Sequence, residues 1–491
     1  MFTRTKSLVR TGVVVVCLYL SRYVAADPVP LPEGVPLISE SLDRGETIID
    51  ASNASKFRPL LLPELERLVV KAGVPLPAIW DLPYSTRLSE GWWKLSVDPY
   101  PGHDGFVPGE TLPYPSAVEP TDDGAARQLL WNVQSLWWKP PVLTADLEYQ
   151  RYRVSNDPAV LRVHLARLYT SPEVPLPVQQ LFRELLQIDM PTALQGQRLL
   201  SVRFSSTRPD RLWEGSQPAG VRDLDGWVRT ERFSGGLFVP DDLLVESASP
   251  ESYSMATVRA TKLLVPFPSV MPPVLVADSR IGCIATENRD EMTAFNQDTH
   301  RFASAPGWVS SEMTFVPRNV LLVEARERSP YAKGSRVVLV IDRETQLPLI
   351  KLVKSDAGNL LRLVLGTFSL AKAPGDRLVP IPRQAIAIGG DYKTVDALTY
   401  RNVRRCGDEQ GRELKNQLDT KELILPTPTA VPPTPTVAAS SDKMPAGKDQ
   451  KGKALPKKDN KPAEKETEQK GAKPKSDGEP SVSAGDGGVE D

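Results

Sequence analysis

The sequence predicts a mainly β (α+β) protein, a large antiparallel sheet with helices packed on one side. Three observations predict it. Segments of alternating apolar and polar residues recur from residue 146 to residue 410, separated by turn-forming residues at hairpin spacing. Helical periodicity is confined to three short segments. The 491 residues include 47 prolines, about twice ordinary usage, which shortens helices and favours edge strands and connections.

The helices come first along the chain. In LLPELERLVVKAG, Pro63 suits the first helical position, Leu65, Leu68, Val69 and Ala72 share a face, and Gly73 closes the end. In DDGAARQLLWNVQSLWWKPP, Asp122 or Asp123 caps, Ala126, Leu130, Val133 and Trp137 line one face, and Pro140-Pro141 stop the helix. A third helix is read in PVQQLFRELLQI, where Val178, Leu181, Phe182 and Leu185 fall together. The strands follow. DLEYQRYRV and VLRVHLARLY read as neighbours joined by SNDPA. In RLLSVRFSS, Leu200, Val202 and Phe204 alternate with Ser201, Arg203 and Ser205, the pattern of a sheet with one buried face. VRATKLLVPF and NVLLVEARER precede SRVVLVIDRE, PLIKLVKSD and NLLRLVLGTF, and these last three form an antiparallel meander. Its turns are ETQ and Asp356-Ala357-Gly358-Asn359, where Gly358 takes positive φ.

The ends differ in composition. Arg4, Lys6 and Arg10, the short apolar run Gly12 to Leu20, and Val24-Ala25-Ala26 read as a signal peptide over 1–26, too short to span a bilayer. A Pro-rich lead covers 27–42. A helical and Trp-rich part spans 43–145, the antiparallel half of the fold 146–410, and a linker 411–425. From Pro426 the chain is Pro/Thr-rich, then Lys/Glu-rich without aromatics, and 426–491 reads as a disordered tail. Cleavage removes Cys17 and leaves Cys283 and Cys406. An even pair in an exported protein is a disulfide candidate, and two separate buried thiols are the alternative. Lys and Arg total 60 against 61 Asp and Glu, which excludes a general nucleic-acid binder. The three histidines, His103, His164 and His300, are too scattered for a His-rich metal site.

Four stretches carry a family resemblance. They are GETIIDASNASKFRPLLLPELERLVVKAG, then LPYPSAVEPTDDGAARQLLWNVQSLWW with Trp131-Asn132, then RPDRLWEGSQPAGVRDL followed by GGLFVPDDLL with Asp241-Asp242. The fourth is YAKGSRVVLVIDRETQLPLIKLVKSDAGNLLRLVLG, in which Asp342 and Gly358 mark turns. In order and spacing they resemble the exported bacterial family catalogued as domain of unknown function thirteen-twenty-nine, often labelled outer-membrane lipoprotein-sorting-like. The likeness covers residues 43–395. The family's basic run in the third stretch is reduced here to Arg222. The resemblance implies a curved, incomplete β-barrel with a helical cover on its concave side, similar to the LolA/LolB lipoprotein carriers. It brings no catalytic residues.

These readings lead to a non-enzymatic envelope protein, periplasmic or outer-membrane associated, that binds a lipid or lipophilic ligand in a half-barrel cavity. Val202, Phe204, Leu339 and Ile341, from the alternating strands, are lining candidates, and so is Trp131; a closed dry core is the competing expectation. Other envelope proteins and peripheral membrane contact fit as partners. No nucleic acid, cofactor or metal is expected. One of each pair Trp92-Trp93 and Trp137-Trp138 is the better surface candidate, since neighbours on a helix point about 100° apart. The alternative function is a secreted carbohydrate-active hydrolase with a carboxylate pair. Against it, Asp122-Asp123 and Asp241-Asp242 read as caps or turns, His103 as a loop residue and His164 as a structural strand residue. A further alternative is an envelope structural or docking module.

Overall fold

The computed structural model describes residues 47–80, 124–268, 275–278, 283–286 and 313–424. Short gaps fall at 139, 154–155, 172, 178, 207, 209, 217–219, 225–235, 329–335 and 374–376. The signal-like segment, the Pro-rich lead, Trp92-Trp93, His103, Asp122-Asp123, His300 and the 426–491 tail lie outside the described residues.

The first helix, α1 (Pro63–Ala72), forms where its pattern places it. Pro63 starts it, Gly73 ends it at φ 69°, and Leu65, Leu68 and Val69 are buried. The second, α2 (Ala125–Ser135), buries Leu129, Leu130, Trp131 and Val133. It ends before the Trp pair, so the helical angle between Trp137 and Trp138 no longer applies. Both are buried. Trp138 packs 6.3 Å from Trp131 and Trp137 packs 6.0 Å from Phe368, with Arg405 over its ring. The expectation of a surface tryptophan in this pair is therefore corrected.

The strands are β1 (Thr47–Ile49), β2 (Leu76–Ala78), β3 (Val142–Arg153), β4 (Asn156–Tyr169), β5 (Gln180–Met190), β6 (Arg198–Phe204), β7 (Arg211–Ser216) and β8 (Gly220–Asp223). They continue as β9 (Tyr253–Pro268), β10 (Leu275–Asp278), β11 (Cys283–Thr286), β12 (Met313–Glu327) and β13 (Arg336–Asp342). The last are β14 (Pro348–Lys354), β15 (Leu360–Ala373), β16 (Arg377–Gly389) and β17 (Val395–Cys406). Antiparallel pairing runs without a break from β8 back to β3, across to β17, back through β16 to β12, and out to β9. Among the described residues only β2 and β12 pair in parallel. The result is one large, curved sheet, mainly antiparallel, as the alternation predicts.

The expected meander is present, with Gly358 at φ 81° in its second turn. The first turn is built by Asp342, which accepts from the Thr345 amide at 2.9 Å and pairs with Arg318. The third expected helix is not: residues 180–190 are β5, laddered between β4 and β6. Two waiting edges supply main-chain bonds that outweigh local helical periodicity. The alternation in β5 is real but hidden, because Glu184 occupies a buried position.

Cys283 and Cys406 sit opposite each other where β11 meets β17, and they are disulfide-bonded. The bond belongs to a satellite core with Val142, Leu168, Leu200, Leu414, Leu418 and Leu423. This core is closed by α3 (Asp408–Gln417) and a 3-10 turn at Thr420–Ile424. Residues 411–424, expected as linker, are therefore folded onto the sheet. Leu423 rests on the bare backbone of Gly215, where an added Cβ would come within 2.7 Å of it. Among the described residues no helix is long and apolar enough to cross a membrane.

Candidate functional site

Between β8 and β9 the chain crosses one face of the sheet as a strap, residues 237–249, sequence LFVPDDLLVESAS. We call the face it covers the inner face. Residues 238–249 are all buried. Pro240–Leu244 makes a 3-10 turn that Asp242 caps by accepting from the Val239 amide at 3.2 Å. Val245 follows at φ 66°, a conformation that costs a β-branched residue about 1–3 kcal/mol. The inner face accommodates it at Gly366, where an added Cβ would collide with Val245 Cγ2.

The strap carries three acids and no cation. Each acid meets a cation held by a strand. Lys351 of β14 lies 2.9 Å from Asp242 and 3.1 Å from Glu246, all three fully buried. Arg362 of β15 donates to Asp242 at 2.9 Å. Arg203 of β6 pairs with Asp241 and, at 2.9 Å, with Asp210. Tyr253 donates to Glu246 at 2.6 Å, and Tyr400 donates to the Leu243 carbonyl. Farther along, Arg167 donates to Glu184 at 2.6 Å and to Ser247 at 3.2 Å. Gln134 of α2 donates to the Ala248 carbonyl at 3.0 Å. Burial alone would push the Lys351 ammonium toward neutrality, but Asp242 and Glu246 outweigh it and hold it charged. Arg203 is raised likewise, Asp210 and Asp241 outweighing its burial.

The sequence-derived candidates divide between the two faces. Leu339 is the ladder partner of Lys351, and Ile341 lies two residues on, so both share the strap's face. Trp131 belongs to the same core, on the helix whose Gln134 holds the strap. Val202 and Phe204 alternate with Arg203, which reaches the strap, so they point to the opposite face. There Leu200, in register with them, packs against the C-terminal segment. β6 is thus buried on both faces, and its polar side is the inner one. The expectation of one buried face fails because Arg203 finds buried partners in Asp210 and Asp241, while the C-terminal segment packs on Leu200 of the apolar side. α3 packs on the face away from the strap, with Leu414 against Leu168 and Val142. Asp241-Asp242 is a turn, as read, but also the anionic half of this network. Missed altogether were Lys351, Arg362, Glu246, Arg203 and Arg167. Lys351, Arg362 and Glu246 are lone charges in apolar runs, such as PLIKLV or LLVESA, and that was the available signal, whereas Arg203 sits with serines on the polar side of an alternating strand.

His164, on β4, lies in an exposed polar patch, its Nδ1 2.9 Å from Asp146. The pair holds the Asp146 carboxyl below its usual range, with Asn402 assisting. Tyr253 and Tyr400 are raised, chiefly by burial, and Tyr253 further by Glu246. A phenol raised in the folded state keeps its proton where the unfolded chain releases it. Stability is then full below the unfolded tyrosine pKa of about 10 and declines as pH rises past it. Urea midpoints measured from about pH 8 to 11 should fall, and Tyr253→Phe should flatten that slope.

No family model matches the chain, and no curated protein matches it. Solved structures do. One is an outer membrane lipoprotein-sorting protein domain from Vibrio parahaemolyticus, at 14% identity and TM-score 0.39, covering 59% of this chain and 97% of that one. Another is a DUF1329 family protein from Desulfovibrio piger, at 11% identity and TM-score 0.37, covering 57% and 91%. A third is a LolA superfamily protein from Nitrosomonas europaea, at 12% identity and TM-score 0.33, covering 57% and 93%. The chain is similar to these proteins, and among them is the family that the sequence resembles.

Proposed function

We propose that this is a non-enzymatic cell-envelope protein that binds a lipid or other lipophilic molecule against the inner face of its sheet. One observation carries the reading. The inner face is apolar across adjoining strands, through Leu339, Ile341, Leu349, Val364 and Ala385, and its cover shares no ladder with it. The strap and α2 lie on this surface without contributing a strand, so a ligand can replace them with the sheet's main-chain bonds intact. An acyl chain gains about 0.8 kcal/mol per buried methylene there. Export, a periplasmic or outer-membrane location, and contact with envelope proteins belong to the same reading.

The hydrolase alternative finds no support at Asp241-Asp242. These carboxylates are sealed and matched to Arg203, Lys351 and Arg362, out of reach of a glycan. The docking-module alternative has an observation in its favour: Leu339, Ile341 and Trp131 are packed, each at most 1% exposed. Titration of the mature protein with a neutral apolar fluorophore separates the two. Saturable emission displaced by added lipid supports the ligand-binding reading. Absence of saturable binding favours the docking module.

A further inference from the structure

The strap has the composition of an acidic amphiphile. Phe238, Leu243, Leu244, Val245 and Ala248 join the main core, and Asp241, Asp242 and Glu246 supply three carboxylates. Those carboxylates are matched by three strand-borne cations, Arg203, Lys351 and Arg362. Of these, Arg203 also has Asp210 outside the strap. Lys351 and Arg362 meet strap carboxylates in the pairs described above. Arg362 is also held charged by Glu327 of β12, outside the strap, whereas Asp241, Asp242 and Glu246, which hold Lys351 charged, all lie on it. If the strap leaves, Lys351 stands desolvated on an apolar sheet face with Arg362 beside it.

We propose that the strap is a built-in pseudo-ligand, and that the site it covers takes an anionic amphiphile, its acid group on Lys351 and Arg362 and its chain along Leu339, Ile341 and Val364. This rests on the lipophilic-ligand reading and names the ligand's chemical class. Three features fit an occupant that gives way. Val245 is held at positive φ. The network buries several ions, whose desolvation offsets much of their attraction. From Val239 on, the strap's amide bonds are local, from Asp242 to the Val239 carbonyl, from Val245 to the Asp242 carbonyl, from Val239 to the Asp242 carboxylate and from Ala248 to the Glu246 carboxylate, while the Leu237 amide donates to the Asp396 side chain of β17; releasing the strap breaks no sheet ladder. The acid group is a carboxylate or a phosphate monoester or diester; both suit an ammonium beside a guanidinium.

Gly366→Ala tests this without touching a charge, since the added methyl displaces Val245. With cis-parinaric acid as probe, its affinity should rise about tenfold, the relief of an overpacking cost of roughly 1–3 kcal/mol. The methyl ester of the same acid should gain distinctly less. Adding Lys351→Met in that background should remove the preference for acid over ester. Competition by phosphatidylglycerol but not phosphatidylcholine would assign the phosphate source, and competition by palmitate alone the carboxylate source. Should a variant fail to fold, hydrogen exchange on the unmodified protein decides: saturating cis-parinaric acid should speed exchange at the Asp242 and Val245 amides. Equal gains for acid and ester, or unchanged exchange with probe bound, overturn the pseudo-ligand proposal and leave the general lipophilic reading standing. No binding of acid, ester or neutral fluorophore overturns both.

Discussion

Replacing Lys351 by methionine is expected to cost about 3–5 kcal/mol of folding stability. The ammonium is fully buried and lies within 3.1 Å of two buried carboxylates. Its removal leaves Glu246 and Asp242 sealed from water, with Arg362 and Tyr253 as partial compensation. The cost arises mainly from the carboxylates left behind rather than from the worth of the intact pair. Replacing the whole charged set by apolar residues of similar volume should therefore cost far less. Urea midpoints give the comparison, with Asp356→Asn as the control, because its pair with Arg326 is half exposed. A loss for Lys351→Met no larger than for the control would mean that the strap is not held by these ions.

Breaking the disulfide should have a comparable effect. Cys283 and Cys406 are 123 residues apart in sequence, and closing a loop of that length restricts the unfolded chain by about 5 kcal/mol in the chain-entropy model. The double variant Cys283→Ser, Cys406→Ser removes that constraint, along with the covalent link that fixes the β10–β11 hairpin to β17. Melting of the variant, and of the unmodified protein with and without reductant, should show matching losses. A variant as stable as the oxidised protein would mean that the satellite core under α3 holds β11 without the bond.

The parts of the fold that could be read from sequence are those determined locally. The meander of β13 to β15 shows its alternation, and its turns carry Asp342 and Gly358, whose chemistry serves the turn itself. α1 shows both of its end signals. The misread segments share one cause: charges whose place depends on distant partners. Glu184 looks solvent-facing until Arg167 of β4 is opposite it, so β5 imitates a helix. Arg203 marks the polar side of β6 as the outer one until Asp241 arrives from the strap. Arg362 and Asp242 are 120 residues apart, and no local pattern links them. Leu339 and Ile341, candidates from the alternation of their strand, share the strap's face. Val202 and Phe204 were placed with them because an apolar stripe is ordinarily the inner one, and here the C-terminal segment covers it instead.

Whether a lipophilic molecule lies against the inner face is tested most directly by native mass spectrometry, with lipid extraction, on the protein gently purified from the cells that make it. A ligand on that face gives a stoichiometric added mass that is lost on denaturation and recovered in the extract. A protein that is reproducibly bare, and stays bare after incubation with envelope lipids, would contradict the ligand-binding reading.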